Sequence, residues 1–294
     1  MGLDVDLSRF RYDGEGRFEL AAMPHGIAPL FADGDDYKAK LEAFGEAIDE
    51  LQTKMYAHDR YAMLLIFQAM DAAGKDSTIA AVMRGVNPHG VKVHAFKQPS
   101  DEELDHGFLW RTNRAMPERG RITVFNRSYY EEVLVVRVHP EIVTKYQRLP
   151  ADRTVDLEAL WQQRYRAIAD LERYLHEQGT IVVKFFLNVS RDEQRARFIR
   201  RIERPDKNWK FAGGDVEERK HWNAYMHAYE ACIDATATEH APWYVIPADD
   251  KKNMRLMVSQ AILDRMRALD LHWPEVGEER RAALAGYRVQ LEND

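Results

Sequence analysis

YAMLLIFQAMDAAGKDST, residues 61–78, decides how this chain is read. The apolar run from Tyr61 to Phe67 has the length and composition of a buried strand. It meets a turn rich in small residues, and then Gly74-Lys75-Asp76-Ser77-Thr78, where a helix begins. Strand, loop and helix start in this order turn backbone N–H groups and the positive end of a helix toward one anion, and Lys75 adds a full charge. The stretch predicts a protein that holds a polyphosphate group and moves it.

Two positions depart from the usual phosphate-loop pattern, G-x-x-x-x-G-K-[ST]. Ala69 stands at the first glycine and requires a loop with φ below zero there. Asp76 replaces the hydroxyl residue that would hold magnesium, but a carboxylate also suits a hard divalent ion, directly or through water. The competing reading is an ordinary strand-to-helix turn with an exposed lysine. The placement of strand, small residues and helix favours phosphate.

Outward from this stretch, composition sets bounds. A chain of 294 residues, 45% of them hydrophobic, suffices for one large α/β domain, or for one domain with appendages. A net charge of −6 argues against a nucleic-acid partner. The single Cys232 leaves no disulfide framework and fits a reducing cytoplasm. No apolar stretch approaches the roughly 18 residues of a membrane span, so no membrane partner is expected.

Residues 1–35 read as a surface wrap, and 38–56 as an amphipathic helix with Leu41, Phe44, Ile48, Leu51 and Met55 inward. Strands are expected at 61–68, 91–96, 121–125, 180–189 and 243–246. Helices are expected from Lys75, from the capping box Ser100-Asp-Glu-Glu103 through about Arg114, after Ser128, over 154–177, from Ser190 to Pro205, from Asp215, and over 251–269. Gly213-Gly214 reads as a loop closure, and the segment from Trp273 as a charged tail. The alternation predicts an α/β fold with a five-stranded parallel sheet sandwiched by helices, right-handed crossovers, and ligand at the carboxyl ends of the strands. Gly74-Lys75, Lys97, Asn126-Arg127 and Arg191 fall there.

Asn126 ends the third strand, where an acidic residue usually organises the metal; an amide supplies only a neutral oxygen or an N–H donor. Arg127 either stabilises charge on a transferring phosphoryl group or pairs locally with Glu131. Glu131 is placed to face the acceptor or the metal. Residues 195–210, RARFIRRIERPDKNWK, hold seven cationic residues against Glu203 and Asp206. Arg197, Arg200, Arg201 and Arg204 share one side of a helix. Screening acts over about 8 Å at cellular salt, so this segment carries its own positive field. It reads either as a solvated face or as a lid over an extended anion. Lys97 and Arg111 are candidates for an acceptor phosphate, with a salt bridge from Arg111 to Asp105 or Glu118 as the alternative. Tyr129, Tyr130 and the Trp222-Tyr225-Tyr229 stripe read as core. No general base is required, because a terminal nucleotide phosphate is already ionised and transfer needs alignment and charge stabilisation.

Taken together, MDAAGKDST (70–78), GVNPHG (85–90), ELDHGFLWR (103–111), FNRSYYEEVLVVRVHP (125–140), KFFLNVS (184–190), PDKNWKF (205–211) and APWYVIPAD (241–249) resemble the polyphosphate kinase 2 family from about Tyr37 to Leu269. In that family an aspartate follows the loop lysine, as Asp76 does here. The resemblance implies a P-loop kinase fold with a helical lid. It implies phosphate transfer between inorganic polyphosphate and adenine nucleotides, guanine nucleotides being a further option, with Mg²⁺ or Mn²⁺. The Asn126-Arg127-Ser128 form and Glu131 resemble the subgroup accepting both AMP and ADP. By analogy Asp71, Lys75, Asp76, Asn126 and Arg127 form the catalytic centre, with Asp71 and Asp76 at the metal. Ala73, Gly74, Lys75, Arg200, Arg204, Lys207 and Lys210 grip polyphosphate, and Lys97, Arg111, Arg127 and Glu131 bind nucleotide. The implied organisation is an N-terminal segment and helix (1–56), a kinase domain (57–270) with its lid at about 191–220, and a tail (271–294), assembled as a homo-oligomer, a dimer or tetramer. An ATP-dependent nucleoside monophosphate kinase on the same fold and a binding protein without turnover are the competing expectations.

Overall fold

The computed structural model describes residues 6–211 and 213–294, and of Lys210 the backbone only. Its sheet has six strands: β1 (Arg11–Tyr12), β2 (Ala62–Gln68), β3 (Val91–Ala95), β4 (Ile122–Asn126), β5 (Thr180–Asn188) and β6 (Trp243–Pro247). Their spatial order is β1-β6-β5-β2-β4-β3. β2 lies parallel to β4 and β5, β3 to β4, and β5 to β6. The five expected strands are therefore present and parallel. β2 and β5 are buried at every residue, as unbroken apolar runs in a sheet covered on both faces must be.

The sixth strand corrects the expectation of a purely parallel sheet. β1 pairs antiparallel with β6, Arg11 opposite Tyr244 and Tyr12 opposite Trp243. Two residues carry no alternation signal; the strand exists because its surroundings hold it. Phe10 and Phe18 are buried beside it, and the Tyr12 hydroxyl donates to Asp234 Oδ1 at 3.0 Å.

The helices are α1 (Gly34–His58), α2 (Lys75–Val82), α3 (Asp101–Leu104), α4 (Trp110–Asn113), α5 (Val135–Val138), α6 (Glu141–Lys145), α7 (Leu157–Glu177), α8 (Arg191–Glu203), α9 (Gly213–Lys220), α10 (Trp222–Thr236), α11 (Lys251–Arg267) and α12 (Glu278–Glu292). α11 packs on β5 and β6 and against α1 and α2, while α7 packs on β5 and against α10. Four expectations change. The helix opened by the Ser100 capping box stops at Leu104 and resumes as α4. Gly213-Gly214 starts α9 rather than closing a loop, and the helix expected from Asp215 is divided at His221. The charged tail contains α12, which buries none of its residues.

Register positions the site. Phe67 lies opposite Asn126, and Gln68 opposite Phe186, so β2, β4 and β5 end side by side. The turn after β4 is fixed from beneath by a buried polar network. Lys184 Nζ donates to Glu172 Oε2 (2.6 Å) and to Thr236 O (2.7 Å); the Tyr129 and Tyr130 hydroxyls donate to Glu172 Oε1 (2.9 and 2.7 Å). Trp243 Nε1 donates to Thr236 Oγ1 at 3.0 Å. Burial lowers the Lys184 ammonium from its ordinary value, and Glu172 opposes that shift. A buried ion pair stands where its remaining donors and acceptors are filled, as they are here. Lys184→Met leaves the Glu172 carboxylate buried without its cation, and is expected to cost about 3–5 kcal/mol of unfolding free energy; urea denaturation of the two proteins measures it.

Candidate active site

From Gln68 the chain turns through residues 69–74 into α2. The reversal uses left-handed backbone at Ala72 (φ 60°) and Gly74 (φ 110°), while Ala69 is not among the positive-φ residues, as its side chain required. The first N–H groups of α2 have no acceptor within the helix and face outward with its positive end. Lys75 folds back over the loop, its Nζ donating to Ala69 O at 2.7 Å. Enclosure lowers the ammonium from its ordinary value; Asp71 and Glu131 raise it, and Arg127 lowers it further.

Arg127 forms the facing wall. Its backbone is left-handed at φ 65°, a conformation that costs a non-glycine residue about 1–3 kcal/mol. Its N–H donates to Phe67 O at 3.2 Å, and its Nη2 donates across to Asp71 Oδ1 at 3.2 Å. The local alternative, a bond to Glu131, is thus replaced by a contact that reaches the loop. With the Gln68 amide oriented so that both its ends find partners, its nitrogen donates to the Glu131 carboxyl (2.8 Å) and its oxygen accepts from Ser128 N (3.2 Å). Burial raises Glu131 from its ordinary value, against the pull of Arg127 and Lys75. Asn126 Nδ2 donates to Asp76 Oδ1. The structure thus brings Asp71, Lys75, Asp76, Asn126, Arg127 and Glu131 together at the ends of β2 and β4.

Among the described residues no three His, Cys, Asp or Glu side chains converge as a metal cluster. Magnesium in a phosphate site does not need one, since it takes one or two carboxylates and fills its shell with phosphate and water oxygens. Asp71 and Asp76, flanking the loop lysine, fit that donor set.

Arg111 lies beside this group. Its Nη1 donates to Lys97 O (2.8 Å), it approaches Glu103 Oε2 (3.8 Å), and its guanidinium stands over the Phe96 ring. Asp105 and Glu118, the partners weighed for it, instead hold Arg148, and Lys92 with Arg121. Arg111 also lines a cavity of about 420 Å³ with Leu104, Phe108, Leu149 and Leu160. The Lys97 side chain is exposed.

The basic segment divides. Arg197 is buried and donates to Glu193 Oε1 (2.8 Å), Ala72 O (3.2 Å), Ala73 O (2.5 Å), Ala248 O (2.6 Å) and Asp249 O (3.0 Å). It is a clamp on the phosphate loop, not a member of an open basic face. Arg200 pairs with Glu193 (2.6 Å), and Arg204, beyond the end of α8, pairs with Asp206 (2.8 Å). Lys207 is exposed, and the side chain of Lys210 lies outside the described residues. Tyr129, Tyr130, Trp222, Tyr225 and Tyr229 are buried, as core residues are. Two residues went unread in the sequence: Arg197 as a clamp, and Lys251, which lies against Gly74. The only local hint of either is a charge beside an apolar strand end.

A mostly parallel sheet with a lysine-bearing loop at its strand ends and an arginine wall across from it defines a phosphate-loop phosphotransferase. Residues 32–272 match the Polyphosphate kinase 2 family, and the chain belongs to it. It is 49% identical, over 98% of its length and 99% of the relative's, to the ADP-polyphosphate phosphotransferase of Rhodopseudomonas palustris. It is 40% identical to the AMP/ADP-polyphosphate phosphotransferase of Meiothermus ruber, over 92% of this chain and 96% of that one. The crystal structure of Polyphosphate Kinase 2 from Arthrobacter aurescens superimposes with a TM-score of 0.85 at 39% identity, covering 97% of this chain and 99% of the other.

Arg197→Lys removes the fork that ties two phosphate-loop carbonyls to two between β6 and α11, since an ammonium offers three donors on a flexible stem. Turnover is expected to fall about a hundredfold, the cost of misplacing a loop by a fraction of its width; kcat from a steady-state assay checks it.

Proposed function

We propose that this chain transfers phosphate reversibly between inorganic polyphosphate and AMP or ADP, forming ADP and ATP. The observation that carries the reading is the meeting of the phosphate loop with α8. Gln194 Nε2 donates to Asp71 O (3.0 Å), and Arg197 grips the loop, so the basic segment borders the site that seats a phosphoryl group. A linear polyanion needs more cations than one nucleotide does, and Arg200, Arg204, Lys207 and Lys210 offer them as a lid over residues 191–220. The names of the similar phosphotransferases support the same donor and acceptors.

In this reading Gly74 and Lys75 hold the donor phosphoryl group through backbone N–H groups and one ammonium. Arg127 neutralises charge as the group passes, and its bond to Asp71 keeps its fork aimed at the loop. Asp71 and Asp76 would hold Mg²⁺ or Mn²⁺, which supplies charge neutralisation between two polyanions. Arg111, with Lys97, takes the acceptor's phosphates, and the apolar cavity beside it takes the nucleoside. Glu131, raised by burial, sits between acceptor and loop. The acceptor phosphate needs no base, so alignment carries the reaction. Guanine nucleotides as further acceptors, a cytoplasmic setting and assembly as a dimer or tetramer belong to the same reading.

The test is incubation with polyphosphate, Mg²⁺ and AMP or ADP, following ADP and ATP. Conversion is expected. Activity with ATP and a nucleoside monophosphate but none with polyphosphate would make the chain a nucleoside monophosphate kinase, and binding without conversion would make it a sequestering protein. Lys75→Ala is expected to lower kcat at least about a hundredfold, because the transferring group loses its nearest full charge; single-turnover assays measure the loss.

A further inference from the structure

Lys251 opens α11 behind Asp250, whose side chain caps the helix by accepting from Asn253 N–H at 2.7 Å. Its stem lies against the phosphate loop: a Cβ placed on Gly74 would come 3.4 Å from Lys251 Cε. Among the described residues its ammonium has no hydrogen-bond or salt-bridge partner. The charges around it are of its own sign: Arg197 and Arg200 from α8, Lys207 from the segment that follows, and Arg255 one turn along α11. The carboxylates near these elements are engaged elsewhere. Glu193 holds Arg197 and Arg200, Asp249 accepts from Ser190 N–H (2.7 Å), and Asp250 is the helix cap.

Like charges drawn together at a half-buried position repel, and an anion bound beside Lys251 relieves that cost while the ammonium keeps its proton. Burial first, and then these four cations, hold the Lys251 ammonium at about 8 rather than its ordinary value. Gly74 separates this cluster from Lys75, which seats the donor phosphoryl group. We propose that Lys251 binds the inorganic chain just behind the phosphoryl unit seated on the loop, and hands the polymer on to Arg200 and Lys207. The proposal rests on the polyphosphate reading above, and it makes Lys251 a residue that sets affinity for the polymer. A nucleotide's own phosphates are the other anion that this chemistry would take.

Steady-state kinetics of wild type, Lys251→Ala and Lys251→Arg separate the possibilities, with polyphosphate varied at saturating ADP, and ADP varied at saturating polyphosphate. Lys251→Ala is expected to raise the polyphosphate KM about tenfold, the loss of one charge-assisted contact, and to leave the ADP KM near its wild-type value. Lys251→Arg restores the polyphosphate KM. As pH rises through about 8 the wild-type ammonium loses its proton, so its polyphosphate KM climbs while that of Lys251→Arg stays level. This second readout needs no alanine variant to fold. An unchanged polyphosphate KM in an active Lys251→Ala enzyme, or an ADP KM that rises as much, overturns the handover and leaves the polyphosphate reading standing. A wild type that turns over ATP but not polyphosphate overturns both.

Discussion

Arg197 is the constraint on which the site's shape depends. A guanidinium is buried at little net cost only when its donors are filled, and here its Nε and both terminal nitrogens find acceptors. Four of these are backbone carbonyls, at Ala72 and Ala73 in the loop and at Ala248 and Asp249 between β6 and α11. A carbonyl oxygen aimed into an anion site would repel its ligand. Drawing the oxygens of Ala72 and Ala73 toward Arg197 engages two acceptors that would otherwise oppose an anion at the loop. The same side chain ties α8 to the loop, so the basic segment is anchored at the residue where it touches the site.

The molecule treats its charges in two ways. Under β4 and β5, Lys184 and Glu172 are matched to each other and to Thr236, Tyr129 and Tyr130, with no capacity left for a ligand. At the strand ends the matching is incomplete. Lys75 spends itself on a carbonyl, Arg127 on one oxygen of Asp71, and Lys251 on no partner among the described residues. The first arrangement fixes the turn that carries Arg127 and Glu131. The second leaves cations facing a crevice, which is what a site for two polyanions requires.

Most of the frame was legible because it is local. An apolar run bounded by small residues reads as a strand, and Ser100 and Ser190 announce helices by capping them. Their strand-end positions also placed Asp71, Lys75, Asn126 and Arg127 on one edge, since parallel β2 and β4 end together. What escaped is what only tertiary structure decides. Arg11 and Tyr12 become a strand because β6 offers an unpaired edge. Gly213 and Gly214 accept helical backbone despite their composition. Arg197 reads as one arginine among seven cations until the fold turns it onto a loop more than a hundred residues away, and Lys251 reads as the first residue of a helix.

Arg127 shows why the departures from the general phosphate-loop pattern are tolerated. The left-handed turn after β4 suits glycine, and a side chain there carries a strain of about 1–3 kcal/mol. The strain persists because both ends of the residue are held: its N–H by Phe67 O in the strand it has just left, its guanidinium by Asp71 across the crevice. β-Sheet register fixes the first contact, and the loop held by Arg197 fixes the second. The wall facing Lys75 is therefore held from two sides, and a first glycine at position 69 is not needed to shape the loop, because Ala72 and Gly74 already supply its turn.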